Sequence, residues 1–242
     1  MASAAQIADR RREDARFRLL ELAKLGVVGA PKVVRRHEAD ITIHCAGKDP
    51  VAEDKQKALL SAIEIVVAAG HAITDLTVYL SDDANVQTIA FVGSTAGDRE
   101  PTIFLGGKAG KTSCKAKGDQ PVVIQGGIGA GGRERGIADQ QYDGTAHWFG
   151  NPKRLALMEA TMIHELGHVL HEQHDPSMFW DLKASVIPPA VAGSGWLNAA
   201  LDVSQYATKG PLEFVAEVFT GRLLGKVYAA TVDNAYAAAN GP

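Results

Sequence analysis

Residues 151–174 read NPKRLALMEATMIHELGHVLHEQH, and both the fold and the chemistry of the chain turn on this stretch. Asn151 suits the cap of a helix and Pro152 its first position. Leu155, Met158, Met162, Leu166 and Val169 then recur at helical spacing, which predicts a helix from Pro152 to about residue 172. Four of the eight histidines fall within His164–His174. His164 and His168 are i and i+4, so at ~100° per residue both imidazoles leave one helix face, a turn apart. That spacing lets two histidines grip one Zn²⁺, and Glu165 between them sits where a general base for a metal-activated water is needed.

A catalytic zinc takes three protein ligands and keeps one position open. Three residues compete for the third place. His171 is nearest, but two turns of straight helix set it roughly 10 Å along the axis from His164. His174 completes a pattern close to that of the metzincins. Those need glycine where His171 stands and a methionine turn further on, and the last methionine here is Met178. Glu213 is the third candidate. It lies in YATKGPLEFVAEVF (206–219), with Glu217 one turn on, and Gly210-Pro211 opens a helix expected to run to about residue 224. Two carboxylates on one face of a helix otherwise built from Leu212, Val215, Phe219 and Leu223 call for a partner, and a metal with its ligand shell supplies one.

Upstream, residues 7–25 read as a charged helix, with Phe17, Leu20 and Leu25 near helical spacing. Ile41–His44 and Leu76–Leu80 read as strands, and about 52–69 as a helix with Ala58, Leu59, Ala62, Ile63 and Val66 on one face. TIAFVG (88–93), PTIFLGG (101–107) and PVVIQGG (121–127) are short β-rich runs separated by turns. Segment 175–200, with Pro176, Pro188 and Pro189, is expected to be loop with short helical pieces. No repeat or composition shift marks a second domain, so residues 1–242 are expected to form a single domain, with 1–30 as an N-terminal helical arm.

Composition narrows the classes. With 242 residues, 46% hydrophobic and 22% charged, the chain has the make-up of a globular domain that buries roughly 70–75% of its unfolded surface. A formal net charge of −3 gives no basic field for nucleic acid, and no apolar run approaches the ~18–20 residues of a membrane span. Two cysteines, Cys45 and Cys114, form one pair or stay reduced. The charged start MASAAQIADRRRE lacks the apolar stretch of a signal peptide, which predicts a cytoplasmic protein or one exported by a dedicated secretion system. Gly127–Gly132 satisfies G-x-G-x-x-G, yet Arg133-Glu134-Arg135 follows where a Rossmann unit needs an apolar helix. The lysine loop 106–117 falls one residue short of a P-loop. His147-Trp148-Phe149 reads as packing or as a pocket wall, and His171 as a group within the site or on the surface.

HELGH followed by Tyr206-x₆-Glu213-Phe-x-Ala-Glu217-x-Phe resembles the catalytic domain of the anthrax-lethal-factor-like zinc metallopeptidases, which are gluzincins. The likeness is strong over 160–222 and faint elsewhere. It implies an α+β, zincin-like fold, with a mixed sheet over the active-site helix and a C-terminal helix carrying the third ligand. It assigns His164, His168 and Glu213 to a single zinc and Glu165 to general base. Tyr206 becomes the hydrogen-bond donor to the developing oxyanion, and Glu217 the carboxylate behind a ligand histidine. The implied activity is hydrolysis of a protein or peptide substrate, in the setting of a bacterial toxin or effector, with a housekeeping enzyme as the other setting. Two rivals stand beside it: a metzincin-like peptidase using His174, and a non-catalytic zinc-binding or nucleotide-binding protein.

Overall fold

The computed structural model describes residues 2–25, 31–46, 50–81, 90–94, 101–105, 152–204 and 206–242. In chain order they form α1 (Ala4–Leu25), β1 (Lys32–Arg36), β2 (Ala39–Ala46), α2 (Pro50–Ala68), β3 (Leu76–Ser81), β4 (Ala90–Ser94) and β5 (Pro101–Leu105). Then come α3 (Pro152–His174), α4 (Pro176–Lys183), α5 (Pro189–Gly193), α6 (Trp196–Leu201), a 3₁₀ turn (Ala207–Lys209), α7 (Pro211–Leu223) and α8 (Ala230–Ala238). The class is α+β, a mixed sheet packed with helices.

The sheet has the order β1-β2-β3-β5-β4. β2, β3 and β5 run parallel, while β1 and β4 are antiparallel strands at the two edges. The β2-α2-β3 passage is a crossover between parallel strands. On β2 and β3, Ile41, Ile43, Leu76, Val78 and Leu80 are buried. The expected stripe of α2, from Ala58 to Val66, is buried, and its Leu59, Ala62, Ile63 and Val66 belong to the same core cluster. Each such Ile or Leu contributes about 1.5–3 kcal/mol by leaving water. α2 stops at Gly70, whose φ of 95° is left-handed, and His71 N–H then reaches back to Val66 O (3.3 Å), closing the helix end.

α3 runs unbroken to His174, and its Met162, Ile163, Leu166 and Val169 join the cluster. Ser61 of α2 donates to Glu159 of α3. Asp175 caps α4 by accepting from Met178 N–H (2.9 Å), which turns the chain sharply after α3. The helical pieces expected in 175–200 are α4, α5 and α6. The arm expected at the N-terminus is helical and is held by polar contacts. Arg10 donates to Trp180 O and Asp181 Oδ1 (2.8 and 2.9 Å), Arg11 Nε to Glu172 Oε1 (3.0 Å), and Lys183 pairs with Asp14 (3.2 Å).

Three expectations need amending. β1 is an additional strand, joined to β2 through His37 and Glu38, both at positive φ. The helix carrying Glu213 is not the last one: α8 follows it and buries Val232, Ala235 and Tyr236. His171 is neither in the site nor on the surface, as described below. The run 121–127, the loops 106–117 and 126–132, His147–Phe149, and the Cys45–Cys114 question lie outside the described residues. Among the described residues no helix is long and apolar enough to cross a membrane.

Candidate metal centre

α3 and α7 lie side by side, and this contact makes the site. Gly167 is the reason they can come so close. A Cβ on Gly167 would stand 2.9 Å from Phe219 Cδ1 and 3.5 Å from Ala216 Cα. A glycine at the second x of HExxH therefore lets the face of α7 approach the histidine face of α3.

Across that contact His164, His168 and Glu213 come together, with one ligand atom from each within 4.8 Å of the others. His164 Nε2 lies 3.1 Å from Glu213 Oε2, and His168 Nε2 lies 3.5 Å from the same oxygen. Donors held ~2.0–2.1 Å from a tetrahedral zinc stand roughly 3.3–3.4 Å apart. Both separations fit that edge length. Two imidazole nitrogens and one carboxylate oxygen, largely withdrawn from water, make a group that could hold a metal ion.

The charges point the same way. Burial pushes the His164 pKa down, but hydrogen bonds to Glu213 and Glu217 and the nearby carboxylate charges outweigh it and raise it well above 6.5. Burial pushes Glu213 up, yet the charge of His168 and the bonds to both imidazoles outweigh it and hold the carboxyl far below its usual range. The arrangement stabilises positive charge at Nε2, whether a proton or a metal ion carries it.

Behind the donors, His164 Nδ1–H donates to Glu217 Oε1 (2.9 Å). This fixes the tautomer that leaves Nε2 facing Glu213. Glu217 is 2% exposed and also accepts from Ser204 Oγ (2.6 Å). The Tyr206 ring lies edge-on to His164, centroids 5.7 Å apart, with Lys209 Nζ 4.6 Å from its own centroid. Glu165 is buried beside His164 and within range of its charge. The six residues that the resemblance assigns to the site thus fall in one neighbourhood of α3, α7 and the turn before it.

His174 does not join them. It is exposed at the end of an unbroken helix, ~9 Å of axial rise beyond His168. His171 is fully buried, with Nε2–H donating to Ala239 O (2.9 Å), and it packs on Phe179 (centroids 5.8 Å apart). Burial and the charge of His168 lower its pKa to about 4, so it is a neutral core histidine tying α3 to the end of α8. Sequence reasoning missed Phe179, whose ring backs both His168 and His171. It also missed Ser204, for which the only signal was a hydroxyl two residues ahead of Tyr206. No family model, curated protein or solved structure matches the chain.

Proposed function

We propose that this chain is a zinc-dependent endopeptidase of the gluzincin kind, with a zincin-like fold, holding one zinc through His164, His168 and Glu213. The observation that carries the reading is the convergence of two imidazole Nε2 atoms on Glu213 Oε2, at 3.1 and 3.5 Å, with Glu165 adjacent. Glu165, buried beside His164, supports catalysis over a structural role, since a structural zinc has no use for a base at its side. The mixed sheet sharing one core with α3 supports the fold. The resemblance over 160–222 supports the peptidase class and, with it, a toxin or effector setting.

Zinc, when bound, supplies a Lewis acid that polarises the scissile carbonyl and lowers the pKa of water toward ~7. Glu165 takes the proton as the water oxygen bonds to the carbonyl carbon, then delivers it to the leaving nitrogen as the C–N bond breaks. The products are a carboxylate and an amine. Tyr206 donates a hydrogen bond to the oxygen that gains charge on the attacked carbonyl. Glu217 holds the Nδ1 proton of His164 and keeps Nε2 aimed at the ligand position.

Glu165→Gln tests this reading. The variant should keep about one zinc per chain and the wild-type fold, because Glu165 is not a ligand. Its kcat/KM on a peptide library should fall by about 10²–10⁴-fold. Cleavage at the wild-type rate would refute the mechanism.

A further inference from the structure

Ser204 sits in the connector between α6 and the 3₁₀ turn, and it is 3% exposed. Its backbone N–H closes onto Ala200 O (3.1 Å) at the end of α6. Its hydroxyl works in two directions. It donates to Glu217 Oε2 at 2.6 Å and accepts the N–H of Ala207 at 3.0 Å. Ala207 is the first residue of the 3₁₀ turn, and Tyr206 immediately precedes it. Lys209 N–H then bonds Tyr206 O (3.1 Å), which completes the turn.

A carboxylate held at one oxygen can swing about that contact. Glu217 is held at both: Oε1 by His164 Nδ1–H and Oε2 by Ser204. Two-point holding fixes the plane of the carboxylate, and through it the rotation of the His164 ring. The same hydroxyl anchors the backbone that presents Tyr206 to the face of the site, 5.7 Å from the His164 ring.

We infer that Ser204 is a positioning residue that couples the orientation of the His164 imidazole to the placement of Tyr206, through Glu217 on one side and the Ala207 amide on the other. The inference rests on the peptidase reading for its catalytic half, and on the donor cluster alone for its metal half. It predicts two separable effects. Losing the hydroxyl frees the Glu217 carboxylate to rotate, which weakens metal binding. It also releases the turn under Tyr206, which lowers turnover even when metal is saturating.

The test uses the full chain and the variants Ser204→Ala, Ser204→Thr and Ser204→Val. Thr and Val have nearly the same shape, so the pair separates the hydroxyl from the volume it fills. Zinc affinity is measured by chelator competition, ligand geometry by the visible spectrum of the Co²⁺-loaded chain, and folding by circular dichroism. Ser204→Ala and Ser204→Val should weaken zinc binding by about 10–100-fold and alter the Co²⁺ spectrum. At saturating zinc both should lower kcat with KM little changed, and Ser204→Thr should restore affinity and kcat to within a few-fold. Equal behaviour of Thr and Val would overturn the inference, as would a folded Ser204→Ala with wild-type zinc affinity and Co²⁺ spectrum. A wild-type chain that binds zinc but cleaves no peptide would defeat the peptidase reading, while the affinity comparison would still decide the role of Ser204.

Discussion

Replacing Gly167 by alanine probes the helix contact on which the donor cluster depends. The added methyl would stand 2.9 Å from Phe219 Cδ1 and 3.4 Å from Cγ, against an ordinary carbon–carbon contact of ~3.5–4.0 Å. The ring must therefore retreat by roughly 0.6–1.1 Å, or α7 must move with it. The ring has little room, since Phe219 is 2% exposed and the His71 ring packs edge-on against it with centroids 5.1 Å apart. Such overpacking costs about 1–3 kcal/mol, and alanine's better helix propensity offsets about 1 kcal/mol of it. The net is a destabilisation of ~0–2 kcal/mol, or up to roughly 4–8 °C in Tm for a domain this size. The larger effect should fall on metal binding, because Glu213 rides on α7 and ligand distances tolerate only about ±0.2 Å. Zinc affinity should drop by about 10-fold or more, measured by chelator competition beside the melting curve. A Gly167→Ala chain with raised Tm and wild-type zinc affinity would refute the close-approach argument.

His164→Ala, His168→Ala and Glu213→Ala should each largely lose zinc in metal analysis, and Glu217→Ala should fall between them and wild type, at about 10–100-fold. His174→Ala should be nearly silent; zinc loss there, with Glu213→Ala still loaded, would restore the alternative ligand set. His171 sets a pH dependence of stability. Its folded pKa of about 4 lies below the unfolded value near 6.5, so the unfolded chain binds the extra proton more readily. The stability it contributes is complete above pH ~6.5 and is lost as pH falls toward 4, up to about 3 kcal/mol. Denaturant melts of wild type and His171→Gln between pH 4 and 7 should differ in slope, and parallel curves would contradict the burial argument.

What the sequence revealed followed from periodicity and pairing. Ala58, Leu59, Ala62, Ile63 and Val66 marked the buried face of α2 because the core reads one helix stripe. His164 with His168, and Glu213 with Glu217, were legible as i,i+4 pairs whose side chains must share a face. β1 was not legible. KVVRR is an edge strand with mostly exposed residues, and the His37-Glu38 turn lacks the Asn-Gly signature of a tight hairpin. α8 was hidden because it is only nine residues long and buries just Val232, Ala235 and Tyr236, too few positions to show a helical period. That omission explains the reading of His171, whose partner Ala239 lies at the end of the unseen helix. Gly167 carries meaning only across the α3–α7 contact, where its missing Cβ meets Phe219, and Ser204 only once the connector before the 3₁₀ turn folds its hydroxyl against Glu217 of α7.

The donors also bridge a long stretch of chain: His164 and Glu213 are 49 residues apart. An ion bound to both would close a loop of that length, as a covalent cross-link does. By chain-entropy reasoning, such a closure removes roughly 4 kcal/mol of freedom from the unfolded ensemble, comparable to a disulfide over the same span. The loop so fastened contains α4, α5, α6 and the 3₁₀ turn, four short elements that have little nucleating power of their own. A metal held there would staple the segment that carries Ser204 and Tyr206, and a chelator would then act on this fold much as a reductant acts on a cystine-linked one.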